Sequence, residues 1–236
     1  MKLLAFETST EACSVALWLD GEVRERFELA PRRHAEVALP WTTTLLDEAG
    51  VKRSQIDAIA VGRGPGAFTG VRLAIALAQG IALALDRPVV PVSTLAALAM
   101  QGRGGTSGGA HVVAAIDARM SETYVGMFAP DGEGMRAIGD EWLGPPADFK
   151  MPGRVGEWSG VGTGFAALDG VLSRRLESAL VAIDPMALPH AADVALLASI
   201  DFASGKALAP EHVEPAYLRN NVALTLEQQR AARLNR

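Results

Sequence analysis

Histidine and cysteine are the side chains of this sequence most able to bind a metal or act as nucleophiles. The four histidines are His34, His111, His190 and His212, and no two lie within one helical turn of each other. A pair four residues apart would present both imidazoles on one helix face, as a shared metal requires. The lone cysteine, Cys13, lies in an apolar run without an activating neighbour, which is typical of a small core residue. The sequence therefore predicts neither a metal site nor a thiol nucleophile.

A glycine-rich loop is the next candidate for chemistry, because backbone N–H groups at the foot of a helix can hold an anion. The stretch from 62 to 70 reads GRGPGAFTG and contains Gly62, Gly64, Pro65, Gly66 and Gly70. A phosphate loop of the Walker A type would end in Gly-Lys followed by Ser or Thr, whereas no lysine follows this loop. We therefore favour a tight strand-to-helix turn, and the anion site remains the alternative.

The residues after this loop predict a helix that is apolar on every side. Only Arg72, Gln79 and Gly80 interrupt the apolar run from 71 to 85. Such a helix must be covered by its own fold or by a partner. Ala76, Gly80 and Ala84 recur every four residues and form a smooth stripe on which a second helix can pack closely. We predict that one side packs on a sheet and the other binds a partner, with complete burial in the core as the alternative.

The predicted partner interface also includes apolar residues of the helix at 36–49. We expect these residues to be exposed on a monomer and to pair with the helices of a like surface. The predicted interface residues are Leu39, Trp41, Leu45, Leu46, Arg72, Leu73, Ala76, Leu77, Gly80, Leu83 and Ala84.

Composition and charge exclude several classes of function. The 236 residues are 49% hydrophobic and 21% charged, as in a soluble globular protein. A net charge of -5 argues against a surface that binds nucleic acid unaided. The single cysteine excludes a disulfide framework and fits a reducing cytoplasm. The apolar run from 71 to 85 is shorter than the ~20 residues of a membrane span, so we expect a cytoplasmic protein without a membrane segment.

Strand and helix patterns alternate through the first half of the chain. Short apolar runs predict strands, and Asp20-Gly21 predicts a hairpin turn between the second and the third. Gly50 marks the end of one helix, and Ser93 caps the start of another. The predicted elements are strands at 2–7, 12–19, 22–29, 56–61 and 88–92, and helices at 36–49, about 71–85 and 94–100.

The second half repeats this order after a glycine-rich linker at 102–109. EACSVALWLDGE (11–22) aligns with ETYVGMFAPDGE (122–133) through both glutamates and the Asp-Gly turn, and Pro145-Pro146 weakens the first helix of the second copy. Two copies of one unit predict an α/β fold with two mixed sheets. We predict an N-terminal lobe at 1–102, a C-terminal lobe at 103–223 and a tail at 224–236.

Four blocks of the sequence resemble the bacterial TsaB family, also called YeaZ. They are ETSTEACSVALW, GRGPGAFTGVR, AAIDARMSETY and EPAYLRNN, in this order, and the resemblance extends to about residue 223. The glycine-rich block is shared with the catalytic relative TsaD, whereas its pairing with the third and fourth blocks is specific to TsaB. The resemblance implies a duplicated fold of the actin, sugar-kinase and Hsp70 type (ribonuclease H-like), with two mixed-sheet lobes facing each other across a cleft.

The resemblance also implies a scaffold rather than an enzyme. Members of the family are the non-catalytic partner of TsaD and, with the ATPase TsaE, take part in installing threonylcarbamoyl on the adenosine beside the tRNA anticodon. The resemblance implies a heterodimer with TsaD through the helices of the first lobe, a homodimer when the chain is alone, and tRNA contact only through the complex. ATP or ADP and a metal are expected on the partner subunits, so no cofactor is expected on this chain.

Nucleotide binding in the implied fold uses two hairpin turns, one in each lobe. The corresponding turns here, 8–11 and 118–121, contain no glycine that would let a phosphate approach the backbone closely. Glu7 stands where the fold usually has aspartate. We expect the candidate cleft residues to be Glu7, Thr8, Ser9, Asp117 and Arg119. A nucleotide-dependent small-molecule kinase or a carbamoyltransferase of the actin-like superfamily remains the alternative function.

Overall fold

The computed structural model describes residues 1–103, 111–151 and 158–219. The linker prediction at 102–109 falls mainly outside these residues, and the tail at 224–236 falls entirely outside them. The first half contains β1 (Lys2–Glu7), β2 (Ala12–Leu19), β3 (Glu22–Leu29), α1 (His34–Ala49), β4 (Ala58–Gly62), α2 (Phe68–Leu85), β5 (Val89–Val92) and α3 (Thr94–Met100). The second half contains β6 (His111–Arg119), β7 (Glu122–Asp131), β8 (Gly134–Ala137), β9 (Trp142–Gly144), β10 (Trp158–Val161), α4 (Ala167–Leu176), β11 (Leu180–Asp184) and α5 (Ala191–Ala203).

The two halves form two sheets with the same strand order. The first sheet runs β3-β2-β1-β4-β5, and the second runs β8-β7-β6-β10-β11 when read in the same direction. In each sheet the three strands that come first in the chain pair antiparallel with their neighbours: β1 with β2 and β2 with β3, and β6 with β7 and β7 with β8. The other two strands run parallel to β1 in the first sheet and to β6 in the second. The predicted repeat and the predicted pair of mixed sheets are therefore confirmed.

Turn and cap residues set the ends of several elements. Asp20 and Gly21 both have positive φ, 50° and 108°, which is the left-handed backbone that an Asp-Gly hairpin turn needs. Gly50 ends α1 with φ of 64°, as a left-handed C-cap does. The Ser93 side chain accepts the N–H of Ala96 and so caps α3. These local signals set the end of β2, the start of β3, the end of α1 and the start of α3 at the residues that the sequence predicts.

The first helix of the repeat has no helical counterpart in the second half. Strand β9 and a short 3-10 turn at Pro146–Asp148 occupy the chain between β8 and the 152–157 segment. Pro145 and Pro146 lack the backbone N–H groups that a continuing helix requires. The prediction of a weakened helix at this place is confirmed for the residues described.

Helices α1 and α2 pack on one face of the first sheet, where Phe6, Val15, Ile59, Leu45 and Ala78 share a single core. The opposite face is covered by α5, which comes from the second half of the sequence. Helix α3 lies against β6, β7 and β8 of the second sheet. The two halves therefore exchange helices, and the lobe boundaries at 102 and 223 remain a prediction.

Helix α2 is the one helix of the described ranges long and apolar enough to span a membrane, judged by length and composition alone. It has 18 residues, because it begins at Phe68, three residues earlier than predicted. Of these residues, 33% are buried inside the fold. Core helices of soluble proteins pass the same test, so the support for a membrane span is weak.

Candidate functional site

The glycine-rich loop packs directly on the turn that follows β1. A Cβ atom added at Gly62, Gly66 or Gly70 would lie less than 3.0 Å from an atom of Glu7, Ser9 or Thr8, respectively. Real Cβ atoms essentially never make such contacts. At Gly66 and Gly70 the neighbour is the backbone of the turn, so these positions require glycine because two backbone segments approach closely. At Gly62 the neighbour is the buried Glu7 carboxylate. Gly64 has φ of 94°, a conformation that favours glycine.

Three backbone N–H groups of the loop donate to other segments of the protein. The N–H of Ala67 donates to the Ser9 carbonyl at 2.7 Å, and the N–H of Arg63 donates to the Val92 carbonyl at 2.8 Å. The N–H of Gly64 donates to Thr94 Oγ1 at 3.2 Å. These three bonds hold the loop as a strand-to-helix turn. The N–H groups of Phe68, Thr69 and Gly70 at the start of α2 are not among these donors, so the anion site stays the alternative.

Glu7 lies at the centre of a buried polar network beneath this loop. Its Oε1 accepts the N–H of Ser9 at 2.7 Å, and its Oε2 accepts the hydroxyl of Thr94 at 2.9 Å. Burial raises the pKa of Glu7 above its ordinary value. The hydroxyl of Thr8 donates to the Gly70 carbonyl at 2.7 Å. This network joins the end of β1 to the first residues of α2 and α3.

The expectation that Glu7, Thr8 and Ser9 line an open cleft is therefore wrong. All three side chains are buried, with at most 1% of each residue exposed. The physical reason is the set of glycines in the loop, which allows the start of α2 to press onto the turn and close it to solvent. Within the described residues, no hydrogen bond joins these three residues to Asp117 or Arg119.

The corresponding turn of the second half is exposed. Arg119, Met120 and Ser121 adopt left-handed φ angles of 61°, 55° and 61°. The Asp117 carboxylate accepts the N–H of Arg119 at 2.9 Å and pairs with its guanidinium at 3.3 Å. This turn contains the bulky residues Arg119 and Met120 and no glycine, so a phosphate could not approach its backbone closely.

Residues 213–219, here called the C-terminal strap, connect the loop to this second turn. The N–H of Ala216 donates to the Arg63 carbonyl at 2.8 Å. Arg219 donates to the Ala118 carbonyl at 3.2 Å and pairs with Glu122. The strap therefore spans the two halves, from the glycine-rich loop to the turn at 118–121. In the sequence this segment is marked only by its family resemblance, and no local pattern signals these contacts.

Helix α2 divides its apolar residues between the core and the surface. Val71, Ala74, Ile75, Ala78 and Ala82 are buried against the first sheet. The opposite side exposes the stripe of Ala76, Gly80 and Ala84. Leu83 is 64% exposed beside this stripe, whereas Leu73 and Leu77 are half-buried. We call the exposed residues Arg72, Ala76, Gly80, Leu83 and Ala84 the α2 face.

Helix α1 contributes less to the surface than the sequence analysis expects. Leu45 and Leu46 are 1% and 3% exposed, so their assignment to an exposed interface is wrong. Trp41 is half-buried and packs on the same core, whereas Leu39 is 47% exposed. The apolar stripe of α1 faces the sheet because it is the only wide apolar side of this helix. The exposed side carries Thr43, Thr44, Asp47 and Glu48.

His34 and Cys13, which were candidates for metal binding or nucleophilic catalysis, have structural roles instead. His34 Nε2 lies 3.0 Å from the Thr10 carbonyl and 3.1 Å from the Ala12 carbonyl, so that nitrogen serves as a donor. Burial raises the pKa of Cys13 to about 12, which leaves the thiol protonated. Across residues 1–103, 111–151 and 158–219, no group of three His, Cys, Asp or Glu side chains could hold a metal ion.

A polar cluster at the start of α5 was not predicted. Glu25 Oε1 accepts the Ser14 hydroxyl at 2.6 Å and the N–H of Ala192 at 3.0 Å, and Oε2 pairs with His190 Nδ1 at 2.9 Å. The imidazole stacks on Phe27 with 4.1 Å between ring centroids. The hydrogen bond to Glu25 raises the pKa of His190. This cluster fastens α5 to the edge strand β3, and the sequence signal for it was a carboxylate among the apolar residues of one β3 face.

Comparison with known proteins agrees with the four sequence blocks. The chain matches the family model described as "TsaD: tRNA N6-adenosine threonylcarbamoyltransferase" over residues 28–226. It is 44% identical to the tRNA threonylcarbamoyladenosine biosynthesis protein TsaB of Escherichia coli (strain K12), with 94% of this chain and 96% of that protein covered. The TsaB protein of Haemophilus influenzae is 40% identical, with 94% of this chain and 95% of that protein covered.

A solved structure has the same fold over almost the whole chain. YeaZ from Pseudomonas aeruginosa superposes with a TM-score of 0.82 at 44% sequence identity, and the match covers 92% of this chain and 100% of that chain. The chain therefore belongs to the TsaB (YeaZ) family, within the wider family that the TsaD model describes.

Proposed function

We propose that this chain is a non-catalytic docking subunit in the biosynthesis of threonylcarbamoyladenosine in tRNA, and that it binds TsaD through the α2 face. The observation that carries the proposal is the exposed small-residue stripe on a helix whose other side is fixed in the core. A smooth stripe lets a partner helix approach closely, and Leu83, 64% exposed, supplies apolar area to bury.

The absence of catalysis is part of the proposal and is supported by the interior of the first half. Glu7, Thr8 and Ser9 hold the fold together beneath the loop, so they are poorly placed to contact a substrate. The strap crosses to the second turn. Under this proposal ATP or ADP and a metal bind to the partner subunits, which include the ATPase TsaE. The tRNA reaches this chain only through the complex, in the cytoplasm.

When no partner is present, a second copy of the chain covers the same face. Ala76 and Ala84 lie equally far along the helix from Gly80. An antiparallel copy of α2 centred on Gly80 would therefore meet each small residue with another. Such a self-complementary surface favours a two-fold homodimer, which TsaD replaces with a heterodimer.

The experiment mixes the chain with TsaD from the same organism and measures the mass of the complex by light scattering after size exclusion. The matched variants are Gly80→Leu, on the α2 face, and Ala203→Leu, at the exposed end of α5. A Cβ at Gly80 has no neighbour within 4 Å, so the leucine leaves the fold intact but blocks close helix packing. We expect Gly80→Leu to lose the heterodimer and Ala203→Leu to keep it.

Threonylcarbamoyl transfer to tRNA by TsaD and its other partners is measured in parallel, with and without this chain. We expect the rate to fall when the chain is omitted or replaced by Gly80→Leu. A wild-type chain that forms no complex, or transfer that proceeds equally well without it, would disprove the docking function.

A further inference from the structure

An aromatic and arginine stack stands at the N-terminal end of the α2 face. The guanidinium carbon of Arg72 lies 3.3 Å from the centroid of the Phe68 ring and 5.3 Å from the centroid of the Tyr217 ring. Arg72 Nε donates to the Tyr217 hydroxyl at 2.8 Å. Phe68 and Arg72 are four residues apart, so their side chains meet on one side of the helix.

This stack fixes an arginine at the surface without neutralising it. Phe68 is 57% exposed and Tyr217 is 52% exposed, so the arrangement faces solvent rather than the core. Within residues 1–103, 111–151 and 158–219, no carboxylate forms an ion pair with Arg72. The guanidinium uses Nε for Tyr217, and its two terminal nitrogens retain the paired geometry that suits a carboxylate.

The surrounding charges also favour an anionic group. The first turn of α2 contains no acidic side chain, and the N-terminal end of a helix carries partial positive charge. Gln79 of α2 donates to the carbonyl of Val213 in the strap at 3.3 Å and to the carbonyl of Pro210, just before the strap, at 2.8 Å. These bonds hold the strap on α2. The stack is therefore continuous with the α2 face and has a rigid support.

Arginine and tyrosine are among the residue types that contribute most of the binding energy at protein interfaces. Rotamer entropy is normally lost when such side chains are fixed on binding, and here the stack has already restricted Arg72. In an antiparallel homodimer centred on Gly80, the residue opposite Arg72 would be Pro88, which carries no charge. A carboxylate directly opposite Arg72 therefore requires a different protein, whereas the nearest carboxylate of a second copy would be Asp86, two residues from Pro88.

We infer that the docking surface extends from the α2 face onto Phe68 and Tyr217, and that Arg72 binds an Asp or Glu carboxylate on the partner helix. The inference rests on the proposed function, because it names the chemistry that TsaD presents to this surface. Arg72 supplies orientation as well as attraction: the carboxylate lies at the N-terminal end of α2, and the partner's apolar side lies over Gly80.

The test measures the dissociation constant of the complex with TsaD by titration calorimetry at 50 mM and 500 mM salt. The variants are Arg72→Ala, Arg72→Lys and Tyr217→Phe, and the charge-matched control is Arg136→Ala on the exposed part of β8. We expect Arg72→Ala to weaken binding about tenfold at low salt and to reduce the salt dependence. Arg72→Lys should recover little of the loss because lysine lacks the planar fork. Tyr217→Phe should cost about threefold, and Arg136→Ala should be neutral.

A charge-swap experiment locates the carboxylate. Arg72→Glu is combined with single Asp→Arg or Glu→Arg changes on the TsaD helices, and one of these changes should restore binding. If the wild-type chain binds TsaD and Arg72→Ala binds with the same affinity and salt dependence, the inference is overturned while the docking function stands. It is also overturned if Arg72→Ala and Asp86→Asn weaken self-association alone, since a second copy then supplies the carboxylate. A wild-type chain that does not bind TsaD overturns the proposed function itself.

Discussion

Helices α2 and α4 follow corresponding strands of the two sheets, yet they differ in length and in surface. Helix α2 has 18 residues and exposes a small apolar stripe, whereas α4 has 10 residues and exposes Arg174 and Arg175. Both helices bury one side in their own half. Duplication therefore explains the positions of the two helices, and of these two only α2 exposes the small-residue stripe on which the proposed docking rests.

The two hairpin turns differ in the same way. The turn after β1 is buried beneath the glycine-rich loop, whereas Met120 in the turn after β6 is 80% exposed. Glycines press onto the sheet in both halves, since a Cβ at Gly164 would clash with Thr123 and Ala115. A feature that serves packing in both copies is better explained by packing than by phosphate binding in one.

The largest effect is expected for two glycines of α2 that have opposite surroundings. Gly70→Ala would place a Cβ against the Thr8 backbone, which cannot move away, and Gly80→Ala would meet nothing within 4 Å. We expect Gly70→Ala to lower the free energy of unfolding by about 3 kcal/mol or more. Gly80→Ala should raise it by about 0.5–1 kcal/mol through helix propensity. Urea denaturation measures both, and equal effects would contradict the buried and exposed sides assigned to α2.

The next largest effect is expected for charges introduced at exposed apolar residues of the two halves. Leu83 on α2 and Val181 on β11 are similarly exposed, at 64% and 58%. We expect Leu83→Asp to weaken the complex with TsaD more than tenfold, because a buried charge without a partner is costly. Val181→Asp should leave the affinity unchanged. Titration calorimetry checks both variants, and a loss on Val181→Asp would move the interface to the second half.

A smaller effect is expected for the pair formed by Glu7 and Gly62. A Cβ at Gly62 would overlap the Glu7 carboxylate, whereas aspartate is one methylene shorter. We expect Gly62→Ala to destabilise the protein by about 2 kcal/mol and the added Glu7→Asp change to recover about 1 kcal/mol. A double-mutant cycle in urea measures this coupling. Additive effects of the two changes would show that the loop does not contact Glu7 in this way.

The smallest effect is the pH dependence of the Glu25–His190 pair. The pKa of His190 is raised in the folded state by its hydrogen bond to Glu25, from an unfolded value of 6.5. Its stabilisation is therefore complete below pH 6.5 and is lost as the pH rises through the folded pKa. We expect the wild type to exceed His190→Phe in stability by about 1 kcal/mol at pH 6 and by less at pH 9.

Burial raises the pKa of Asp193 to about 6, so the same comparison is repeated in an Asp193→Asn background to remove its titration. The carboxylate of Glu25 is constant over this range, because its hydrogen bonds outweigh burial and lower its pKa. A stability difference that grows with pH would contradict the pairing.

Local patterns were sufficient for much of the fold. The bounds of β1, β2, β3 and α3 follow from apolar runs that end at turn or cap residues, and these signals act within a few residues. The sequence does not predict which side of α1 faces the sheet: it predicts Leu45 and Leu46 to be exposed, and both are buried. Apolar character shows that a helix side must be covered, but it does not distinguish a sheet of the same chain from a partner.

The polar networks were also beyond sequence reasoning. Glu25 and His190 are 165 residues apart in the chain, and Glu7 and Thr94 are 87 apart. No local periodicity links such pairs, because their contact depends on how whole elements pack. The same holds for Arg72 and Tyr217, which are 145 residues apart and meet only because the strap returns along α2.

The amino-acid sequence alone is sufficient to predict the duplicated α/β plan, the family and the presence of one helix too apolar to be fully solvated. These properties are encoded in residue spacing and in short motifs. Three features follow from long-range packing instead: Glu7 is a buried support, the apolar side of α1 faces the sheet, and Arg72 is fixed at the surface. Each of these depends on distances between segments far apart in the chain, and those distances are set when the sheets, helices and strap pack together.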